Sequence, residues 1–373
     1  MKYSIEISKI IEGALKLDNL KVNSYTQLLI DKLKADGEAQ DANRLSRILD
    51  MAQSKNLEPM NVGKSFKVPV DTESRVPIAD TIMPLDAMEK VVFSEENSKN
   101  VDVFLLSYKN SDKLNAVGVG MSNTLLMYGP PGCGKTKTAH YIASKLNLPL
   151  VIARLDSMIS SYLGTTSKNI RYLFEYAQKV PCVLFLDEFD AIAKARDDEN
   201  ELGELKRVVN SLLQNIDNMS ENSLLIAATN HEELLDKAIW RRFDYKLKID
   251  LPDRKAREAL VEIFLGENLK LDSKDRSLIS IALESMSGSD IEELIKKAIR
   301  KSIIFDYELS LKNIFDEIFE YRGFCANNCE DTKDVLKKQV RFLRELDEKI
   351  FSYIVIGNIL GISKAQVGNI LKG

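Results

Sequence analysis

The sequence predicts an α/β fold, a parallel sheet between layers of helices, with further helical segments on both sides of it. Three observations predict it. From about residue 92 to 252, short apolar runs alternate with helical patterns, the order of a sheet covered on both faces. One run, Thr124–Tyr128, leads into the loop Gly129-Pro130-Pro131-Gly132-Cys133-Gly134-Lys135-Thr136, and a helical pattern over Lys137–Leu146 leads out. Another run, Cys182–Leu186, is too short for a helix and ends in Asp187-Glu188-Phe189-Asp190.

Taken in order, the chain divides into five stretches. Residues 1–54 read as a three-helix bundle, with Ile7, Ile10, Ile11 and Leu15, then Val22, Tyr25, Leu29 and Leu33, then Ala42, Leu45 and Leu49 at helical spacing. Breaks near Asp18-Asn19 and Asp36-Gly37 separate the helices. A bundle of this size is expected to dock or assemble rather than catalyse. Residues 55–86, with Pro59, Pro69, Pro77 and Pro84, read as an irregular linker lying on a larger body. Residues 87–252 form the α/β part, with strands expected at Thr124–Tyr128, Leu150–Arg154, Cys182–Leu186, Ser223–Ala228 and Tyr245–Ile249. Residues 253–305 read as a helical lid, with Ile291, Leu294, Ile295, Ala298 and Ile299 on one side of a helix. Residues 306–373 read as a helical tail.

The two motifs carry phosphate chemistry. Glycines let backbone N–H groups turn inward around a phosphate at a helix N-terminus, where the helix dipole also favours an anion. Lys135 would reach the β- and γ-phosphates, the Thr136 hydroxyl would bind Mg²⁺, and Lys137 adjoins them. An acidic pair at the C-terminal end of a parallel strand sits where open α/β sheets bind ligands. There Asp187 would hold Mg²⁺, and Glu188 would orient and polarise the attacking water, so the pair points to hydrolysis rather than binding alone. One solvated acidic residue at a strand end would be unremarkable; the pair downstream of a phosphate loop is not explained that way.

Composition narrows the class. The chain has 373 residues and a formal charge of −4, with 52 basic side chains dispersed among 56 acidic ones, so it bears no global nucleic-acid footprint. Met1-Lys2-Tyr3-Ser4 does not open an apolar leader, and no apolar run approaches the roughly 18 residues of a membrane span, so a cytoplasmic location and no membrane partner are expected. The cysteines Cys133, Cys182, Cys325 and Cys329 are scattered, and His140 and His231 are the sole histidines, which disfavours a zinc site and suits a reducing compartment.

Downstream, Leu224-Leu225-Ile226-Ala227-Ala228-Thr229-Asn230 and its continuation to Trp240-Arg241-Arg242-Phe243-Asp244 are similar to the second region of homology of AAA family ATPases. The resemblance covers residues 87–304 and implies a P-loop AAA module that hydrolyses Mg-ATP as a homo-oligomer, a hexameric ring. It implies that Asn230 contacts the γ-phosphate or the water, and that Arg241 and Arg242 stand at the arginine-finger positions. The Pro-Gly usual between those arginines is missing, so which one reaches a neighbouring subunit stays open. Ser287-Gly288-Ser289-Asp290 resembles the start of the lid helix, with Gly288 and Ser289 near the nucleotide and Asp290 as a cap. Ser160-Ser161-Tyr162-Leu163-Gly164 resembles the aromatic pore loop, in which Tyr162 and Leu163 would grip a protein substrate. The alternative is that Tyr162 packs on its own subunit. A second loop, Lys194–Asn200, reads equally well as a solvated charge run.

The helical N-terminus, the stretch Asp71–Pro77 and Ile159–Gly164 also resemble a bacterial subgroup of stand-alone AAA proteins, often encoded beside a subtilisin-like peptidase. By that analogy the partner is a separate protease. The chain itself has neither a G-x-S-x-G elbow nor an H-E-x-x-H helix.

Phe351–Gly373 pulls another way, for it resembles a helix-turn-helix: a helix to Leu360, a turn at Gly361, Ser363 as N-cap, and a second helix burying Val367 and Ile370. Residues 331–373 carry eight basic and five acidic side chains, +3 against −4 for the chain. Lys364, Gln366, Asn369 and Lys372 are offered to phosphates or base edges. Two readings follow: a ring that remodels or unfolds proteins through its pore, and a DNA-associated ATPase switch recruited by the tail.

Overall fold

The computed structural model describes residues 3–15, 18–54, 70, 77–83, 90–119, 123–155, 163–191, 204–219, 223–269, 271–324 and 332–372. Two compact units emerge. The first comprises Met1–Val91, Glu95–Gly129 and Lys135–Ile249; the second comprises Val92–Ser94, Pro130–Gly134 and Asp250–Gly373.

The first unit opens with α1 (Ser4–Leu15), α2 (Asn19–Ala35) and α3 (Ala39–Ser54). Asp18 caps α2 by accepting from Lys21 N, and Leu29, Ile30, Leu33, Ala42 and Leu49 form a small core. Gly13 lets α1 and α2 cross closely, since a Cβ there would meet Val22 Cγ2 at 3.0 Å. Charges are buried with partners: Lys32 pairs with Glu6 at 2.6 Å and Lys21 with Glu12 at 2.9 Å. The bundle packs on the rest of the unit through α1 against α5 (Ser111–Ala116) and α2 against α7 (Leu163–Lys179).

The sheet contains β1 (Asp80–Ile82), β2 (Thr124–Tyr128), β3 (Leu150–Arg154), β4 (Val183–Asp187), β5 (Leu224–Thr229) and β6 (Tyr245–Lys248), in the order β1-β3-β4-β5-β2-β6. All pairings are parallel except β1 on β3. The central strands β2, β4 and β5 are buried almost along their whole length, as strands covered on both faces must be, whereas β6 alternates, with Lys246 and Lys248 exposed. Ile170, Leu173, Phe174 and Ala177 of α7 and Val208, Val209, Leu212 and Ile216 of α8 (Glu204–Asp217) recur at helical spacing and join the core with β4 and β5. Each large apolar side chain buried there contributes about 1.5–3 kcal/mol. Val101, Phe104, Leu105 and Tyr108 of α4 (Glu95–Lys109) and Ala139, Ile142, Ala143 and Leu146 of α6 (Lys135–Leu146) are buried likewise. The edge strand β1 falls in the stretch read as linker. Three residues between prolines carry no alternation to read, and its pairing with Leu150–Ile152 is what makes it a strand.

The second unit holds α10 (Arg254–Leu265), α11 (Ser273–Ala282), α12 (Gly288–Ile304), α13 (Leu311–Tyr321), α14 (Thr332–Leu346), α15 (Tyr353–Leu360) and α16 (Lys364–Lys372); the short α9 (Lys237–Trp240) belongs to the first unit. One continuous core runs from Val261 through Ile295 and Phe315 to Val340, Phe351, Ile356 and Val367. Lid and tail helices are therefore built around the same interior. α15 and α16 meet at 109°, and Gly361 makes the turn at φ +70° with Ile362 N donating to Gly357 O at 2.9 Å. No single described helix is long and apolar enough to cross a membrane.

Candidate functional site

Three predicted positions in the first unit follow the C-terminal ends of neighbouring parallel strands: Gly129 after β2, Asp187 at the end of β4 and Asn230 after β5. The side chain of Lys135, on the first turn of α6, is buried and donates from Nζ to Gly129 O at 2.7 Å. Lys137, one residue past Thr136, is half-buried. Thr136 Oγ1 lies 3.2 Å from Asp187 Oδ2, across 51 residues of sequence. Gly129 has φ +135°, and a Cβ there would stand 2.2 Å from Ile249 O. Gly129→Ala is expected to destabilise the protein by about 1–3 kcal/mol through overpacking, with backbone strain of similar size added. Thermal unfolding checks it, and an unchanged transition would show that the loop can move aside.

Glu188 sits at φ +55°, a left-handed conformation for a non-glycine residue. Such strain persists only where neighbours over-determine it. Here Glu188 N donates to Asp187 Oδ1 at 3.0 Å and Phe189 N to Ala228 O at 2.8 Å. A further bridge was not foreseen from the sequence. Thr229 Oγ1 donates to the buried Asp190 Oδ1 at 3.2 Å and accepts from His231 N at 3.0 Å. Asn230 is thus held between two residues fixed to one hydroxyl, and the tip of β5 is tied to the segment carrying Glu188. Both partners are polar residues beside a motif, and that is the signal that could have found them.

The two arginines differ. Arg242 is turned inward: its guanidinium donates to Ala238 O at 2.8 Å and forks onto Asp217 of α8, Nε–Oδ1 2.9 Å and Nη2–Oδ2 3.0 Å. Arg241 is exposed and bonds to no side chain among the described residues. Their turn is anchored at the N-terminal end of β2, where Thr124 Oγ1 accepts from Asp244 N at 2.9 Å and lies 3.1 Å from Arg242 O. The phosphate loop leaves the other end of β2, five residues away at about 3.3 Å each, or roughly 16 Å.

In the second unit, Pro130–Gly134 lies with the start of α12. Ser289 N donates to Gly132 O at 3.0 Å, and a Cβ on Gly132 would collide with Ser287 Oγ at 2.6 Å. Gly288 faces the Gly132 carbonyl, which a Cβ there would meet at 3.3 Å. Ser287 and Asp290 form a capping box, with Asp290 N donating to Ser287 Oγ at 3.2 Å and Ser287 N to Asp290 Oδ2 at 2.9 Å. Pro130 and Pro131 bracket the loop's outer turn, and Cys133 Sγ lies 3.7 Å from Pro131 O. Cys182, at the base of β4, is buried and its thiol is pushed up to about 12 by that burial, which makes it inert.

Tyr162 and Lys194–Asn200 lie outside the described residues, as do Cys325 and Cys329; Leu163 begins α7. At the tail, Gln366 completes a capping box with Ser363, Ser363 N donating to Gln366 Oε1 at 2.8 Å and Gln366 N to Ser363 Oγ at 3.3 Å. Its amide oxygen is therefore engaged by its own helix.

A family model described as "ATPase family associated with various cellular activities (AAA)" matches residues 125–251. An uncharacterized AAA family ATPase of Sinorhizobium fredii is 43% identical over 238 residues, 62% of this chain and 70% of its own length. Proteasome-activating nucleotidase 2 of Halobacterium salinarum is 34% identical over 57% of this chain and 53% of its own length. An ATP-dependent zinc metalloprotease FtsH, from Lancefieldella parvula, is 31% identical over 58% of this chain and 34% of its own length. The chain thus spans about half or less of these last two relatives. Among solved structures, the FIGL-1 AAA domain in complex with ADP superposes with a TM-score of 0.55 at 22% identity, covering 75% of this chain and 95% of that one, a likeness of fold.

Proposed function

The chain belongs to the AAA family of ATPases and is an ATP hydrolase, and from that premise we propose that it works as a ring of identical copies, a hexamer, coupling hydrolysis to the remodelling or unfolding of protein substrates. One observation carries the assembly. Arg241 is exposed and bonds to no side chain among the described residues, while the adjacent Arg242 is committed to Asp217 of its own chain. That exposure supports a role in completing the site of a neighbour, where a guanidinium stabilises charge in phosphoryl transfer.

Within each site, the backbone of Gly129–Gly134 wraps the phosphates and the buried ammonium of Lys135 neutralises them. Thr136 Oγ1 and Asp187 Oδ2, 3.2 Å apart, are the hard oxygen donors that would hold Mg²⁺. Magnesium, when bound, supplies charge neutralisation on the phosphate oxygens. Glu188 orients the attacking water and accepts its proton, while Asn230 positions that water or the γ-phosphate. Gly288 and Ser289 bring the lid's first turn to the loop.

The protein substrate rests on Tyr162 and Leu163 in the central channel, where an aromatic with an apolar neighbour grips any polypeptide. The chain's partner is a separate protease and its place the cytoplasm; that two relatives are named for a metalloprotease and for the proteasome supports a protein substrate and a link to proteolysis. Tyr162→Ala is expected to abolish stimulation of ATP hydrolysis by an unfolded polypeptide, read as the ratio of stimulated to basal turnover. Stimulation equal to that of the parent protein would retire the threading model.

A further inference from the structure

We propose that the last three helices, α14 to α16, form a docking surface for the phosphate backbone of duplex DNA, independent of the substrate-threading role. Three observations support it. The first is the geometry of the pair α15–α16. The two helices cross at 109°, within the roughly 90–120° of helix-turn-helix units. The turn between them is constrained on both sides: Gly361 is left-handed at φ +70°, and a Cβ on Gly357 would stand 2.6 Å from Ile362 O. Such a turn holds α16 out at a fixed angle.

The second is charge. Residues 331–373 carry +3, which leaves −7 on the remainder of a chain whose total is −4. The acids lie unevenly: Asp331 is outside the described residues, and Glu345 is exposed on α14 four residues beyond Arg341, at the end of that helix. Asp347 accepts Lys349 N and Ile350 N at 2.8 and 3.0 Å, and Glu348 pairs with Arg344 at 3.4 Å, so both are occupied in the connection between α14 and α15. Lys333, Lys337 and Arg341 recur at every fourth position of α14, with Lys338 beside them, and all four are exposed. Asp334 is the acid among them, in an exposed pair with Lys337 at 3.3 Å, a bond of small worth that a phosphate can replace.

The third is what α16 shows to solvent. Val367 is buried and Ile370 and Leu371 pack on the core, leaving Lys364, Ala365, Gln366, Asn369 and Lys372 exposed. This face has cations and an amide but none of the aromatic or large apolar anchors on which protein partners depend. α16 packs against α14, so the two basic elements are neighbours. A helix of nine residues is about 13 Å long, and its diameter of about 10–12 Å fits a major groove about 12 Å wide. With Gln366 Oε1 held in its own capping box, Asn369 is the one amide with both ends left to read a base edge, so phosphate contacts dominate and little sequence preference is expected.

The test is fluorescence anisotropy of the full chain with a labelled mixed-sequence duplex across a salt series from about 50 to 200 mM. Binding is expected to weaken steeply with salt. Lys337→Glu with Arg341→Glu, and separately Lys364→Glu with Lys372→Glu, are each expected to lower affinity by at least about tenfold and the salt slope by about two. Lys109→Glu with Lys113→Glu on the first unit, the same change in charge, is expected to leave binding as it was. If a glutamate variant loses its thermal transition, the glutamine versions at the same positions are read in its place. The proposal is overturned if the parent chain fails to bind duplex at the low-salt end. It is equally overturned if tail variants bind as the parent does, if the Lys109/Lys113 control loses as much, or if a single strand binds as well as the duplex. Duplex binding needs no ATP turnover, so its outcome is separate from that of the remodelling model.

Discussion

Arg241→Ala is expected to cut ATP turnover by about 10³–10⁵, the range for a finger supplied across subunits, while leaving nucleotide affinity at each chain's own loop intact. Arg242→Ala is expected to do something different. It removes the fork onto Asp217 and the bond to Ala238 O, a partly exposed interaction within one chain, for a cost of up to about 1 kcal/mol in stability. Its turnover should remain within about tenfold of the parent, or 1.4 kcal/mol in barrier. Mixing separates the two ideas further. Arg241→Ala copies have sound loops and no finger; Lys135→Ala copies have fingers and no sound loop. Co-assembled, each inactive variant supplies what the other lacks, and activity should return. No recovery in verified mixed oligomers would refute action across subunits.

Glu188→Gln is the second large effect, with turnover expected to fall by about 10²–10⁴, the usual contribution of a positioned general base. The amide keeps the shape of the side chain and leaves the backbone bonds from Glu188 N and Phe189 N in place. ATP binding and ATP-dependent assembly should therefore survive, and gel filtration with ATP beside steady-state hydrolysis reads both. Normal turnover would remove Glu188 from the mechanism. Substitutions of Thr229 or Asp190 should act on the same step more weakly, because they position Glu188 and Asn230 without touching the substrate.

What could be read in advance follows from how local each determinant is. Four of the five parallel strands were readable because a short, mostly apolar run bounded by turns means a covered strand, and β6 because Tyr245, Leu247 and Ile249 alternate with Lys246 and Lys248. Each expected span lies within one residue of the observed one. The place of Asp187 at a strand end follows from the same pattern. The edge strand β1 was missed because three residues carry no period, and its partner lies some 70 residues away. The difference between Arg241 and Arg242 could not be read from adjacent, identical residues, since it is set by Asp217 on another helix. Thr229 and Asp190 meet across 39 positions, a separation no local pattern reports. Gln366 is a different case: Ser363-x-x-Gln366 is a capping box legible in the sequence, and it engages the oxygen of that amide.

The single interior shared by Val261, Ile295, Phe315, Phe351 and Val367 means that, among the described residues, the tail helices are packed directly onto the lid. A module hung on a flexible linker wanders by roughly 5–6 Å times the square root of the linker's length in residues, and a force applied to it is lost in slack. Here α16 is a cog cut from the same block as α12. A load seated on the tail would feel each turn of the lid as torque, and a lid held still would hold its load still.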